Sequence, residues 1–269
     1  MLLTLFIVYL LLALAVMFFQ RRLIYFPTKL TPELAGRRAA EEGFLPWRNE
    51  AGKIIGWHLP ASVSPDGVVL IVHGNAGCAI DRGYLAKPIH AAAPVEVFVL
   101  EYPGYGSRDG SPGERSFLGA ADEAFDLLPK HVPIFIVIES LGAGVAAHLS
   151  KTHRDQVSGL MLFAPYNNLV SVAQKKMPFL PVSLLLLDRF NPAGLIKDYR
   201  GPMAIVLAGS DEVIPPEFGL RLYDGYAGPK NLQIISGAGH NDIAEQSSEW
   251  WKNILTFWEQ NRETIRNAR

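Results

Sequence analysis

The sequence predicts an α/β fold in which a mostly parallel central sheet is covered by helices on both faces. Three observations carry this reading. The apolar runs at 68–72, 95–100 and 134–138 are continuous, as in strands buried on both sides, rather than alternating as in a half-exposed sheet. Helix-period stretches separate such runs, most clearly 114–128, where Phe117, Ala120, Ala121, Ala124, Phe125 and Leu128 recur every three or four residues. The length of 269 residues, 49% apolar and 19% charged, suits one large core and an appendage.

The appendage comes first. From Leu2 to Phe19 only Thr4 and Tyr9 carry polar side-chain atoms. About 18 helical residues span roughly 27 Å, close to the thickness of a bilayer's hydrocarbon. The stretch lacks the basic start and short apolar core of a cleaved signal peptide, and Ala13-Leu14-Ala15 lies inside it rather than after it, so a retained transmembrane helix is expected. Arg21, Arg22, Lys29, Arg37 and Arg38 all follow the span, which favours a body on the cytoplasmic face.

After a mixed connecting stretch, 53–59 alternates like an early strand, and the buried-type runs follow. Beyond the run at 134–138, three more strands are expected at 159–163, 203–207 and 232–235. The stretch 166–200 interrupts the rhythm with Pro178, Pro181, Pro192 and an apolar run at 182–187, and reads as a small cap over the ligand edge of the sheet. A last helix near 247–260 carries Trp250, Trp251, Ile254, Leu255 and Trp258 on one stripe, a face that packs on the sheet.

A formal net charge of −1 with no basic block in the body argues against nucleic acid as a partner. Cys78 is the one cysteine, so neither an intramolecular disulfide nor a thiolate cluster is possible, and the histidines lack metal-ligand spacing; no metal is assigned.

The polar residues that carry chemistry fall at strand ends, where ligands bind in open parallel sheets. Phe135-Ile136-Val137-Ile138-Glu139-Ser140-Leu141-Gly142 passes from a strand into small residues that start a helix, the form of a turn that lifts a serine above the sheet. Serine needs a base, and His240 in Gly239-His240 after the last strand is the candidate; Asp211 in Gly209-Ser210-Asp211 is the carboxylate that would hold the imidazole. Glu212 and Asp242 are rivals for the acid, and Cys78 is a remote alternative nucleophile. In His73-Gly74-Asn75, after the strand at 68–72, the Asn75 N–H could join the Leu141 N–H as an oxyanion hole.

With these residues in order, the chain resembles the α/β-hydrolase family over roughly residues 45–260. Its matching segments are His73-Gly74-Asn75, Tyr102-Pro103-Gly104-Tyr105-Gly106, Ser140-Leu141-Gly142, the Asp211 loop and Gly239-His240. The span followed by Leu23-Ile24-Tyr25-Phe26-Pro27 is similar to the single-pass, membrane-anchored subgroup, which includes esterases, lysophospholipid and monoacylglycerol lipases and depalmitoylating thioesterases. The resemblance implies an α/β-hydrolase fold with a small cap insertion, acyl transfer to water through an acyl-serine on acyl-ester or lipid substrates, and no cofactor. Expected boundaries are 1–22 for the anchor, 23–45 for a linker, and 46–269 for the hydrolase domain with its cap at about 166–200. One position departs from the pattern. Ile138 stands two residues before the serine, where the family has a small residue, so either its neighbours leave it room or the turn is distorted. Distortion would favour an alternative reading, a catalytically impaired module that binds an acylated ligand or a membrane partner. A peptidase is a third option, and dehalogenase or epoxide-hydrolase chemistry is disfavoured because it needs a carboxylate in place of Ser140.

Overall fold

A computed structural model describes residues 1–267; the last two residues of the stretch 46–269 lie outside the described residues. The chain opens with helix α1 (Leu2–Ile24), followed by β1 (Phe26–Pro27), α2 (Pro32–Glu41), β2 (Leu45–Arg48), β3 (Ile54–Leu59) and β4 (Gly67–Val72). A short β5 (Ala76–Gly77), α3 (Gly83–Ala92), β6 (Val95–Leu100), α4 (Glu114–Asp126), β7 (Ile134–Glu139), α5 (Gly142–Thr152) and β8 (Val157–Phe163) come next. The cap contributes α6 (Leu169–Lys176), α7 (Val182–Leu185) and α8 (Pro192–Leu195), after which β9 (Met203–Ala208), α9 (Pro216–Gly225), β10 (Lys230–Ile235) and α10 (Ser248–Asn267) complete the fold.

Eight strands form one sheet in the order β10-β9-β8-β7-β4-β6-β3-β2. Pairing is parallel from β10 through β6 and antiparallel at β6–β3 and β3–β2. The chain goes from β4 to one side for β6 and returns to the other side for β7, so the order reverses around β4. In open parallel sheets the crevice outside the strands' carboxyl ends opens where the order reverses, which places a ligand crevice at the carboxyl ends of β4 and β7.

Alternate residues of the buried strands feed two cores. Val68, Leu70, Val72, Ile136 and Ile138 meet Phe117 and Phe125 of α4 and Val145 and Leu149 of α5 on one face. Val69, Ile71, Val97, Val99 and Val137 meet Leu85 and Ile89 of α3 and Trp251 and Trp258 of α10 on the other. The tryptophan stripe of α10 does pack inward: the Trp258 ring stacks on Phe135 at 4.7 Å between centroids, and Gly159 of β8 has no room for a side chain beneath that indole.

The edge strand β2 and helix α2 lie where the sequence offered only mixed pieces. A four-residue strand containing Pro46 and a ten-residue helix containing Gly36 give weak periodic signals, and their partners fix them: Trp47 packs on Phe98, and Ala35 and Ala39 are buried in the second core. Residues 23–45 are therefore structured. Phe26 and Pro27 pair in parallel with Ala76 and Gly77, directly after the turn at the end of β4.

Candidate active site

Ser140 occupies the turn between β7 and α5 with φ 49°, the left-handed region that costs a non-glycine residue about 1–3 kcal/mol. The surroundings hold it there: its N–H donates to the Phe163 carbonyl at 2.8 Å, and its carbonyl accepts from the Ala143 N–H at 3.0 Å. Ile138 is fully buried at this turn, and the neighbour that leaves it room is Gly142. A Cβ on Gly142 would lie 3.1 Å from the Ile138 Cβ and 2.7 Å from the Val72 carbonyl, so the helix can begin this close to β4 only without a side chain.

The loops after β7, β9 and β10 bring Ser140, Asp211 and His240 together. His240 Nε2 lies 3.1 Å from Ser140 Oγ, and His240 Nδ1 lies 2.7 Å from Asp211 Oδ2. A carboxylate can only accept, so Nδ1 carries the proton and the Nε2 lone pair faces the serine hydroxyl. The other oxygen of Asp211 accepts the N–H groups of Val213 and Ile214, each at 2.8 Å, which holds the carboxylate in place beside the imidazole. The rivals point elsewhere. Glu212 is exposed and meets Lys176 through its backbone carbonyl, while Asp242 caps its own loop by accepting the Gly239 N–H at 2.8 Å.

Asn75 and Leu141 flank the serine on the cavity wall, and among the described residues neither backbone N–H has a hydrogen-bond partner. The Asn75 turn is braced from three sides. Its carbonyl accepts from Phe26 N–H at 2.8 Å and from the Tyr105 hydroxyl at 2.7 Å, its side-chain amide donates to the Ile24 carbonyl at 2.7 Å, and the Tyr102 hydroxyl donates to the His73 carbonyl at 3.0 Å. The Tyr-Pro-Gly-Tyr-Gly motif thus supports the Asn75 turn, a role its sequence position does not disclose.

Neighbouring titratable groups are quiet. Burial pushes the Cys78 thiol up to about 12, so it stays protonated and unreactive. Burial lowers the pKa of His73, which is therefore neutral beneath its turn. Glu139, next to the serine, is tied by Arg82 at 3.0 Å and by the Tyr84 hydroxyl, and is held as an ion pair rather than a free surface charge.

Ser140 opens on a cavity of about 240 Å³. Its walls are predominantly apolar and come from three places: the cap, Val213 and Ile214 beside the acid, and the last two turns of α1. The contribution of α1 is the part of the site that sequence reasoning missed.

Comparisons agree with this architecture. A family model described as serine aminopeptidase S33 (Hydrolase_4) matches residues 63–195. An uncharacterised Mycobacterium tuberculosis protein is 32% identical over 83% of this chain and 81% of its own length. The lysophosphatidylserine lipase ABHD12 of Macaca fascicularis is 28% identical over 66% of this chain, which spans 50% of that protein. In three dimensions, ferulic acid-bound Est1E from Butyrivibrio proteoclasticus superposes with a TM-score of 0.62 at 16% identity, covering 76% of this chain and 95% of the other. The chain belongs to the α/β-hydrolase family of serine hydrolases.

Proposed function

We propose that the protein is a membrane-tethered serine hydrolase that cleaves carboxylic esters or thioesters of acyl chains. Ser140 Oγ attacks the acyl carbonyl while His240 Nε2 takes its proton. The oxyanion is met by the N–H groups of Asn75 and Leu141, and Asp211 stabilises the imidazolium. His240 then protonates the departing alcohol or thiol, leaving an acyl-serine, and the same base activates the water that releases the acid. The observation that carries this reading is the hydrogen-bonded series Ser140, His240, Asp211, whose serine opens on an apolar cavity. A relative named as a lysophosphatidylserine lipase supports a lipid-derived substrate.

Residues 1–22 act as the anchor, 23–45 join it to the body, and 46–269 form the hydrolase domain with its cap at about 166–200. The basic residues that follow the span favour a body on the cytoplasmic face. Protease digestion of the body in inside-out but not right-side-out vesicles is the expected outcome of that orientation, and the reverse pattern would refute it.

The matched family model's description points to peptides, whose cleavage would use the same acyl transfer, but the apolar walls favour an acyl chain. A panel of acyl esters and thioesters of varied chain length, with an aminoacyl anilide, separates the two. The parent is expected to prefer acyl substrates and Ser140→Ala to lose at least 1,000-fold in turnover, on the order seen when a triad member is removed. Preference for the anilide, or turnover retained by Ser140→Ala, would overturn the reading.

A further inference from the structure

The helix α1 is not a free tether. Its 23 residues are about 35 Å long, and its second half lies along the cap. Ala13 is buried against Leu180, Val182 and Leu186. Gln20, only 4% exposed, donates to the Leu185 carbonyl at 3.1 Å and accepts from the Leu187 N–H at 2.7 Å. Higher up, the Tyr9 hydroxyl donates to the Phe179 carbonyl at 3.0 Å. Tyr9 and Ile24 are about 22 Å apart along the axis, so the cap reaches well over half the length of the span. A helix this long that crosses a hydrocarbon layer about 30 Å thick must carry the cap tip into that layer. The outer surface of the tip suits hydrocarbon: Phe179 is 87% exposed and Leu184 79%, and Phe18 and Phe19 of α1 are exposed as well.

The same turns of α1 reach the chemistry. Val16, Met17, Gln20, Leu23 and Ile24 line the cavity that ends at Ser140, facing cap residues across it. Both walls of the cavity run along the span, so a chain passing between them lies among lipid tails.

Resting on the function proposed above, we infer that α1 is the membrane-side wall of the acyl-binding site, and that a single-chain lipid ester enters it sideways from the leaflet, between α1 and an immersed cap tip. The anchor thereby sets acyl-chain selectivity.

The full chain in lipid nanodiscs tests this with Met17→Trp, which fills the cavity from α1, Met17→Ala, which enlarges it, and Leu12→Trp, an exposed α1 position off the cavity. The ratio of palmitoyl-ester to acetyl-ester turnover is expected to fall at least tenfold in Met17→Trp, the preferred chain to lengthen in Met17→Ala, and the ratio to stay at the parent value in Leu12→Trp. Labelling of Ser140 by a small fluorophosphonate reports that each variant is folded. An unchanged ratio in a labelled Met17→Trp, or, should that variant not fold, an unchanged profile in Met17→Ala, would overturn the inference while leaving the hydrolase reading intact. A parent that neither labels nor cleaves any ester would remove both. A nitroxide on Phe179→Cys in vesicles, with Cys78 buried and unlabelled, is expected to relax with oxygen rather than with an aqueous nickel chelate, and the opposite preference would refute immersion of the tip.

Discussion

Asp211 divides its two oxygens between the backbone and the imidazole, and the division separates it from the acids on either side. Asp211→Asn, which would favour the wrong imidazole tautomer, is expected to lower turnover about 10,000-fold. Glu212→Gln and Asp242→Asn should stay within a few-fold of the parent, and a loss in either of them matching Asp211→Asn would reassign the acid. At the elbow, Ile138 fills a site that Gly142 vacates, so removing its side chain opens a hole instead of relieving a clash. Ile138→Ala is expected to cost about 2–5 kcal/mol of stability in denaturant unfolding with no gain in turnover; a rise in ester hydrolysis would show that the isoleucine does distort the turn. Of the two outcomes that the sequence left open at Ile138, the structure has the one in which a neighbour leaves it room. The compensating glycine was in view four residues on, but only the fold shows that the two face each other.

Among the elements, the interior strands were readable because each contains a continuous apolar run between turn signals, and the polar strand ends at Ser140 and Asp211 followed from them. Elements fixed by partners were not: β2 pairs at an edge, and the β1–β5 ladder is two residues long. The docking of α1 was also hidden, since hydropathy records only that a helix is long and apolar. Asp188 shows how firm that docking is. It is buried and accepts from Arg21 through Nε at 3.1 Å and Nη2 at 3.2 Å, from the Tyr25 hydroxyl at 2.9 Å and from the Glu114 N–H at 3.1 Å, joining α1, the cap and α4. Asp188→Ala leaves the buried hydroxyl and N–H without their acceptor and is expected to cost about 1–3 kcal/mol, measured as a lower unfolding midpoint in detergent. An unchanged midpoint would mean that the anchor and body are only loosely joined.

For the whole molecule, one half-buried and one buried histidine link stability to pH. Burial and the nearby His90 hold His58 down to about 4; it stacks on Phe98 at 4.1 Å, and Glu96 is 3.8 Å away. Burial lowers His73 in the same direction. An unfolded histidine titrates near 6.5, so below that pH the unfolded chain binds protons the folded one refuses, and stability falls as pH drops from about 6.5 toward 4. His58→Phe keeps a ring against Phe98 without a titrating group, so its unfolding midpoint should fall less steeply between pH 7 and 4.5 than the parent's; equal slopes would assign the acid sensitivity elsewhere. The molecule as a whole joins a sheet that aims three loops at one point to a long apolar helix that closes the space above them. The most direct measurement of the central claim is mass-spectrometric mapping of a fluorophosphonate adduct on the full-length protein. A single adduct on Ser140 that is lost in Ser140→Ala and strongly slowed in His240→Ala is the expected result. A folded parent that takes up no probe, or an adduct that persists in Ser140→Ala, would contradict it.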